Sequence, residues 1–190
     1  DDPGWPSDPK EPAIFSDAWW KIYGRVSEEC ARLGMGIGLS TYTLDWPNGA
    51  ANLFYERFYS RPEFNAIELV DGKPRRKAGS FNPLMMGAGD TIIDGFFSEF
   101  EKHNPGKGAE GLNFFFNDEL KVGLGKLAWN PDFADEFEKK KGYDLMEVLP
   151  AMWTDTGDIT PKVRIDYADV RMSLMEERYF KPIYDWHTDR

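Results

Sequence analysis

Apolar residues recur at intervals of three and four from Trp19 through Ile22, Tyr23, Val26 and Cys30 to Leu33, a stripe that predicts an amphipathic helix. Ser16 stands where its hydroxyl can cap the first turn, and Gly34 supplies the stop. The period then changes. Residues 35–41 place Met35, Ile37, Leu39 and Thr41 on one face and Gly36, Gly38 and Ser40 on the other, the alternation of a strand. A helix followed directly by a short apolar run is half of a βαβ unit, and the small residues suit close approach of neighbouring elements. Asp45-Trp46-Pro47-Asn48-Gly49 reads as the loop that follows. Between residues 52 and 80 the pattern is less regular. Phe54, Tyr55, Phe58 and Tyr59 fit a short helix, and strand-like runs at 66–70 and 75–78 flank Asp71-Gly72, the signature of a hairpin. This stretch reads as an excursion between two core units.

Regularity resumes at Asp90, placed to cap a helix with Ile92, Ile93, Phe96, Phe97 and Phe100 on one stripe, broken by Asn104-Pro105-Gly106. Residues 111–117 form a nearly continuous apolar run, the mark of a buried parallel strand, and the run ends in Asp118-Glu119. Trp129 lies in a loop-like stretch. Asn130 and Pro131 make an N-cap and first-turn pair for a helix with Phe133 and Phe137 inward, and Lys139-Lys140-Lys141-Gly142 predicts its solvated end. Thr160-Pro161 opens a long helix with Val163, Tyr167, Val170 and Leu174 on one stripe.

Helices alternating with buried strands mean a parallel α/β architecture, either a (β/α)8 barrel or a doubly wound sheet. Two clear strands are too few to close a barrel. The expectation is a partial (β/α)8 TIM barrel, residues 1–190 forming one domain with an excursion at about 50–88. The turn-rich first dozen residues and a last helix running to Arg190 without a stop read as a piece of a longer protein.

Composition narrows the function classes. The 33 acidic against 23 basic residues give a net charge of −10, which repels phosphate backbones and anionic lipid surfaces, so neither nucleic acid nor a membrane is an expected partner. No run of about 18 apolar residues is present, and Asp1-Asp2-Pro3-Gly4 has no basic flank or apolar h-region. The single cysteine, Cys30, on an apolar helix face, reads as a small hydrophobe. His103 and His187 fall in neither a metal-binding spacing nor a Ser-His-Asp arrangement and read as surface residues. Gly87-Ala88-Gly89-Asp90 lacks the Walker lysine of a phosphate loop.

The candidate chemistry sits at strand ends. In parallel α/β folds, ligands meet the carboxyl ends of the strands, where Asp118 and Glu119 would lie. Low-dielectric core beside them tends to raise a carboxyl pKa and favours a general acid. A helix cap, or an ion pair with Lys121, is the structural alternative. Glycoside cleavage needs one carboxylic acid to protonate the departing oxygen and a second carboxylate to activate water or attack the anomeric carbon. Adjacent acids cannot flank a sugar from different sides, so the partner of Glu119 is expected from another strand, with Asp118 orienting it or holding a cation. Asn117 is a further candidate for sugar contact. In the loop after the first strand, Trp46 can stack on a pyranose, while Asp45 and Asn48 can bond hydroxyls or supply oxygen ligands to Ca²⁺. An ordinary turn explains that loop equally well. Trp5 and Trp129 are additional loop aromatics of the kind that stack on sugars, or crevice fillers.

Several phrases resemble α-L-rhamnosidase-like glycoside hydrolases, family 106 and relatives. They begin with Asp17-Ala18-Trp19-Trp20, leading through Glu28-Glu29 to Arg32-Leu33-Gly34-Met35-Gly36-Ile37-Gly38. Phe116-Asn117-Asp118-Glu119, Trp129-Asn130-Pro131-Asp132-Phe133, Phe137, Gly142-Tyr143-Asp144 and Leu149-Pro150-Ala151 then follow in the same order as in that family. The resemblance covers residues 17–44 and 111–178. It implies a (β/α)8 catalytic domain, accessory β-domains elsewhere in the full-length chain and an extracytoplasmic location. It also implies hydrolysis of a terminal sugar from a plant or microbial polysaccharide, with inversion and help from calcium in the rhamnosidases. Glu119 matches the family's strand-end acidic motif, whose two acids are spaced apart there and adjacent here. A non-catalytic carbohydrate-binding or degenerate barrel, and a doubly wound domain serving another small molecule, are the competing readings.

Overall fold

The computed structural model describes residues 12, 15–40, 62–78, 81–104, 111–116 and 124–189. They fall into two compact units, one built from residues up to Ser40 with 92–116, the other from 62–91 with 124–189.

The first unit opens with α1, Asp17–Arg32, whose start is fixed by the Ser16 hydroxyl accepting from the Trp19 amide at 3.3 Å. Gly34, at φ 67°, takes the left-handed turn that ends it. The buried face is Trp20, Tyr23 and Ser27, which corrects the expected stripe, since Ile22, Val26 and Leu33 are exposed and Cys30 is half-buried. Aromatic packing decides the rotation. Trp20 lies 5.2 Å from Phe100 and stacks on His103 at 4.1 Å, Tyr23 lies 5.4 Å from Phe100, and the Ser27 hydroxyl bonds the Asn104 side chain. These contacts place the large flat rings inward and leave the aliphatic residues outside. Phe100 lies in α3, Ser98–Lys102, which follows a π turn, Ile93–Phe97; α2, Ala88–Ile92, precedes them in sequence and belongs, but for Ile92, to the second unit. It begins two residues before the expected cap at Asp90, yet Ile93, Phe96, Phe97 and Phe100 are buried as their spacing requires. Strands β1, Gly36–Ser40, and β4, Gly111–Phe116, lie side by side in parallel.

The second unit holds a three-stranded antiparallel sheet whose middle strand is residues 66–70. Strands β2, Ala66–Val70, and β3, Lys73–Lys77, form the expected hairpin, and Asp71 and Gly72 both take positive φ, 51° and 73°. That pair of left-handed residues matches the twist of the strands it joins. Beyond Gly72 and its two chain neighbours, no atom lies within 4 Å of a Cβ built on Gly72. Gly72→Ala should therefore cost about 1–2 kcal/mol through backbone strain alone, read as a lowered urea midpoint, while Gly72→Asn should recover most of the loss.

Strand β5, Ala128–Trp129, pairs with the other edge of β2, Ile67 opposite Trp129 and Glu68 opposite Ala128. The stretch expected to be an excursion thus supplies two of the three strands of this sheet. Helix α4, Phe133–Lys141, starts later than Asn130 predicts, with Asp132 at its N-cap, and ends on left-handed Gly142. Next come α5, Leu145–Val148, a 3₁₀ turn, Leu149–Met152, and α6, Thr160–Met175. A π turn, Glu176–Phe180, leads into α7, Lys181–Thr188. The Thr160 hydroxyl receives the Thr156 amide at 2.8 Å, and Val163, Tyr167, Val170 and Leu174 are buried as predicted. They join Ile67, Leu69, Leu127, Trp129, Phe133, Phe137, Leu145 and Leu149 in one core. Two of the three lysines expected to be solvated instead tie α4 to the following helices. Lys140 bonds Glu177 at 2.6 Å, and Lys141 pairs with Asp166 and Asp169.

Candidate functional site

The parallel pair β1 and β4 begins in register, Gly36 opposite Gly111 and Ile37 opposite Leu112. A one-residue irregularity after Ile37 shifts the ladder, so that Gly38 faces Phe114, Leu39 faces Phe115 and Ser40 faces Phe116. The two carboxyl ends are therefore level, one strand spacing of about 4.8 Å apart. Glycines at 36 and 38 present no side chain, which suits a β1 backbone approached closely by its neighbour. From these two adjacent ends the sequence continues at Thr41, toward Asp45, Trp46 and Asn48, and at Asn117, toward Asp118 and Glu119. All six of those candidates, and Trp5, lie outside the described residues.

Trp129 is the one sequence-predicted site residue that is described. It was expected in a loop and instead sits in β5 with its indole buried, the ring 4.9 Å from Phe133. Its carbonyl accepts from Asn82 Nδ2 at 2.8 Å, and Asn82 Oδ1 takes the Leu84 amide at 3.1 Å. The neighbouring Ala128 carbonyl accepts from the Tyr167 hydroxyl, and burial pushes that phenol strongly upward in pKa. In this position Trp129 fills the core.

Beside it lies a polar assembly that residue spacing did not disclose. Arg178, buried in the π turn after α6, grips Asp132 with two hydrogen bonds, Nη1 to Oδ1 at 3.0 Å and Nη2 to Oδ2 at 2.7 Å. Nη1 also donates to the Leu84 carbonyl at 2.8 Å. Asn130 Nδ2 donates to the same Asp132 Oδ1. The guanidinium holds the Asp132 carboxyl below the usual carboxylate range, chiefly through these bonds. A Cβ on Gly89 would come within 2.9 Å of the Tyr179 carbonyl and 3.1 Å of the Arg178 carbonyl, so α2 packs tightly against the turn that carries the arginine. The only sequence signal for this cluster was the Asn130-Pro131-Asp132 phrase, read as a helix cap. The ion pair acts as a strut joining the start of α4, the 82–84 segment and the π turn, while Asn130 Oδ1 lies buried without a hydrogen-bond partner among the described residues.

The Gly142-Tyr143-Asp144 phrase is also structural in its contacts. Gly142 takes φ 78°, the Tyr143 hydroxyl donates to Asp166 at 2.7 Å, and Asp144 caps α5 through the Met146 amide at 2.7 Å. Burial and Asp166 push the Tyr143 hydroxyl up to about 12, and Lys162 lies 4.4 Å above its ring. His103, expected on the surface, is half-buried on Trp20, with Nδ1 2.8 Å from the Glu99 carbonyl. His187 is half-buried beside Trp186. Among the described residues, no group of three or more His, Cys, Asp or Glu side chains is placed to hold a metal ion. The oxygen donors considered for calcium, Asp45 and Asn48, lie beyond them. Comparison with models of protein families, with curated proteins and with solved structures gives no match to this chain.

Proposed function

We propose that this chain is part of the (β/α)8 catalytic domain of an extracytoplasmic glycoside hydrolase acting on a plant or microbial oligo- or polysaccharide. The reading is supported above all by the parallel pairing of β1 and β4 with level carboxyl ends. Each of those ends is followed in sequence by groups suited to a sugar. Asp45, Trp46 and Asn48 follow one strand, and Asn117, Asp118 and Glu119 follow the other. Strand carboxyl ends are where parallel α/β folds place their catalytic groups. Glu119 is then the general acid or base, and the second carboxylate comes from a different strand. Asp118 orients Glu119 or holds a cation such as Ca²⁺, while Trp46 stacks on the sugar and Asp45, Asn48 and Asn117 bond its hydroxyls. The phrases shared with α-L-rhamnosidase-like enzymes make a terminal α-L-rhamnoside the first substrate class to try.

The test uses the protein that carries this chain, assayed against a panel of aryl glycosides including α-L-rhamnoside, beside its Glu119→Gln variant, with sugar affinity measured by calorimetry. Turnover in the parent and its collapse in the variant, with affinity retained, is the expected result. Turnover that survives the substitution removes Glu119 from the mechanism. Sugar binding without turnover in either protein would favour a non-catalytic, carbohydrate-binding barrel.

A further inference from the structure

Strand β3 sets Lys73, Arg75, Arg76 and Lys77 around Pro74, in a chain whose net charge is −10. All of these residues are exposed, and β3 is an outer strand of its sheet. The register fixes which backbone groups it leaves open. Leu69 donates its amide to the Leu127 carbonyl at 3.0 Å, on the side of β2 away from β3, and Pro74 is its partner in the β2–β3 ladder. In an antiparallel pair, facing residues exchange both bonds or neither, so Pro74 and, two places on, Arg76 turn their backbone groups to the open edge. The Pro74 carbonyl and the Arg76 amide and carbonyl therefore point toward any strand that is added. Lys73, Arg75 and Lys77 alternate with them and share one face of the sheet. Relative to an added strand they take the non-hydrogen-bonded positions, where cross-strand side chains approach most closely, about 4.5 Å between Cα atoms.

Charge selects the occupant. Cations on an outer strand turn away apolar and basic strands, which would bury unpaired charge or meet like charge, and a second β3 is refused on the same ground. Glu68, opposite Arg75 in the ladder, lays its carboxylate against Gly125 next to β5, where a Cβ would come within 2.1 Å of Oε1. A nucleic-acid duplex, with a charge about every 1.7 Å, would press most of its phosphates on the acidic remainder of the molecule. An extended peptide with acidic residues at alternate positions satisfies backbone and side chains together. Its carboxylates recur about every 6.8 Å along one face, the repeat of Lys73, Arg75 and Lys77. We propose that β3 docks an acidic peptide segment of a partner protein as an added strand, its carboxylates set against Lys73, Arg75 and Lys77. The proposal is independent of the glycosidase reading.

Fluorescence anisotropy of the protein with labelled short peptides tests it. One peptide alternates glutamate with threonine, a second has the same composition with its glutamates in a single block, and a third replaces glutamate by glutamine. The alternating peptide should bind most tightly. Lys73→Gln combined with Arg75→Gln should weaken it about tenfold, because two opposite-charge cross-strand pairs are lost. Methylating the threonine backbone nitrogens should weaken it as well, since those amides would donate to the Pro74 and Arg76 carbonyls, and a purely ionic contact would not respond. Both substituted side chains are exposed, circular dichroism checks that the variant remains folded, and the peptide comparisons are read on the parent protein alone. No binding of the alternating peptide, equal binding of the block peptide, indifference to the substitutions or to methylation, or equally tight binding of oligothymidylate would each overturn the proposal.

Discussion

Glu119→Gln should lower kcat/KM on a glycoside by about 10²–10⁴-fold, the contribution of a positioned general acid or base. Glutamine keeps the size and hydrogen-bonding reach of the side chain and removes only its ability to exchange a proton. Sugar affinity should therefore change little, and the loss should fall on kcat. The leaving group separates the two roles. If Glu119 protonates the departing oxygen, nitrophenyl glycosides, whose aglycone leaves without help, should be affected much less than alkyl glycosides. If it activates water, both should suffer alike. In either case the limb of the pH profile that reports Glu119 should vanish in the variant. Asp118→Asn should do less, since in this proposal Asp118 orients Glu119 or holds a cation and does not itself exchange the proton.

Asp132→Ala should destabilise the second unit by about 2–4 kcal/mol, because it leaves the buried Arg178 guanidinium without its counter-charge. The lower part of that range applies because the carboxylate itself is 43% exposed and partly screened. Chemical denaturation followed by far-UV circular dichroism measures the loss. The pH dependence has a fixed sign. The folded-state pKa of Asp132 is depressed, so its stabilisation is fully present above the unfolded carboxylate value of about 3.9 and fades as pH falls through the folded value. Asp132→Asn should flatten that acid-side decline. A variant as stable as the parent at neutral pH, with the same acid sensitivity, would show that the pair carries no weight.

Local periodicity made the helices and the hairpin legible. The Val163, Tyr167, Val170 and Leu174 stripe, the inward Phe133 and Phe137, and the Asp71-Gly72 turn all lie where the pattern places them. Features set by distant partners were not legible. Strand β5 is two residues long and exists because Ile67 and Glu68, some sixty positions earlier, offer an edge. Likewise, α1 keeps Tyr23 inward as its spacing predicts but turns Trp20 inward in place of Ile22 and Val26, because Phe100 and His103 offer flat surfaces to stack upon. The Asp132 to Arg178 pair joins residues 46 apart, which no spacing rule connects. For the candidate site, the sequence anticipated two strands ending in acidic and aromatic segments, and the register adds that their ends are level.

That levelness yields the most direct test of the functional proposal, an experimental structure of the protein with a bound monosaccharide. The account predicts the sugar seated at the carboxyl ends of β1 and β4, with the Trp46 ring against its face and a Glu119 carboxylate oxygen within hydrogen-bonding reach of the glycosidic position. A sugar bound elsewhere, or a Glu119 side chain turned to bulk water away from it, would contradict the account.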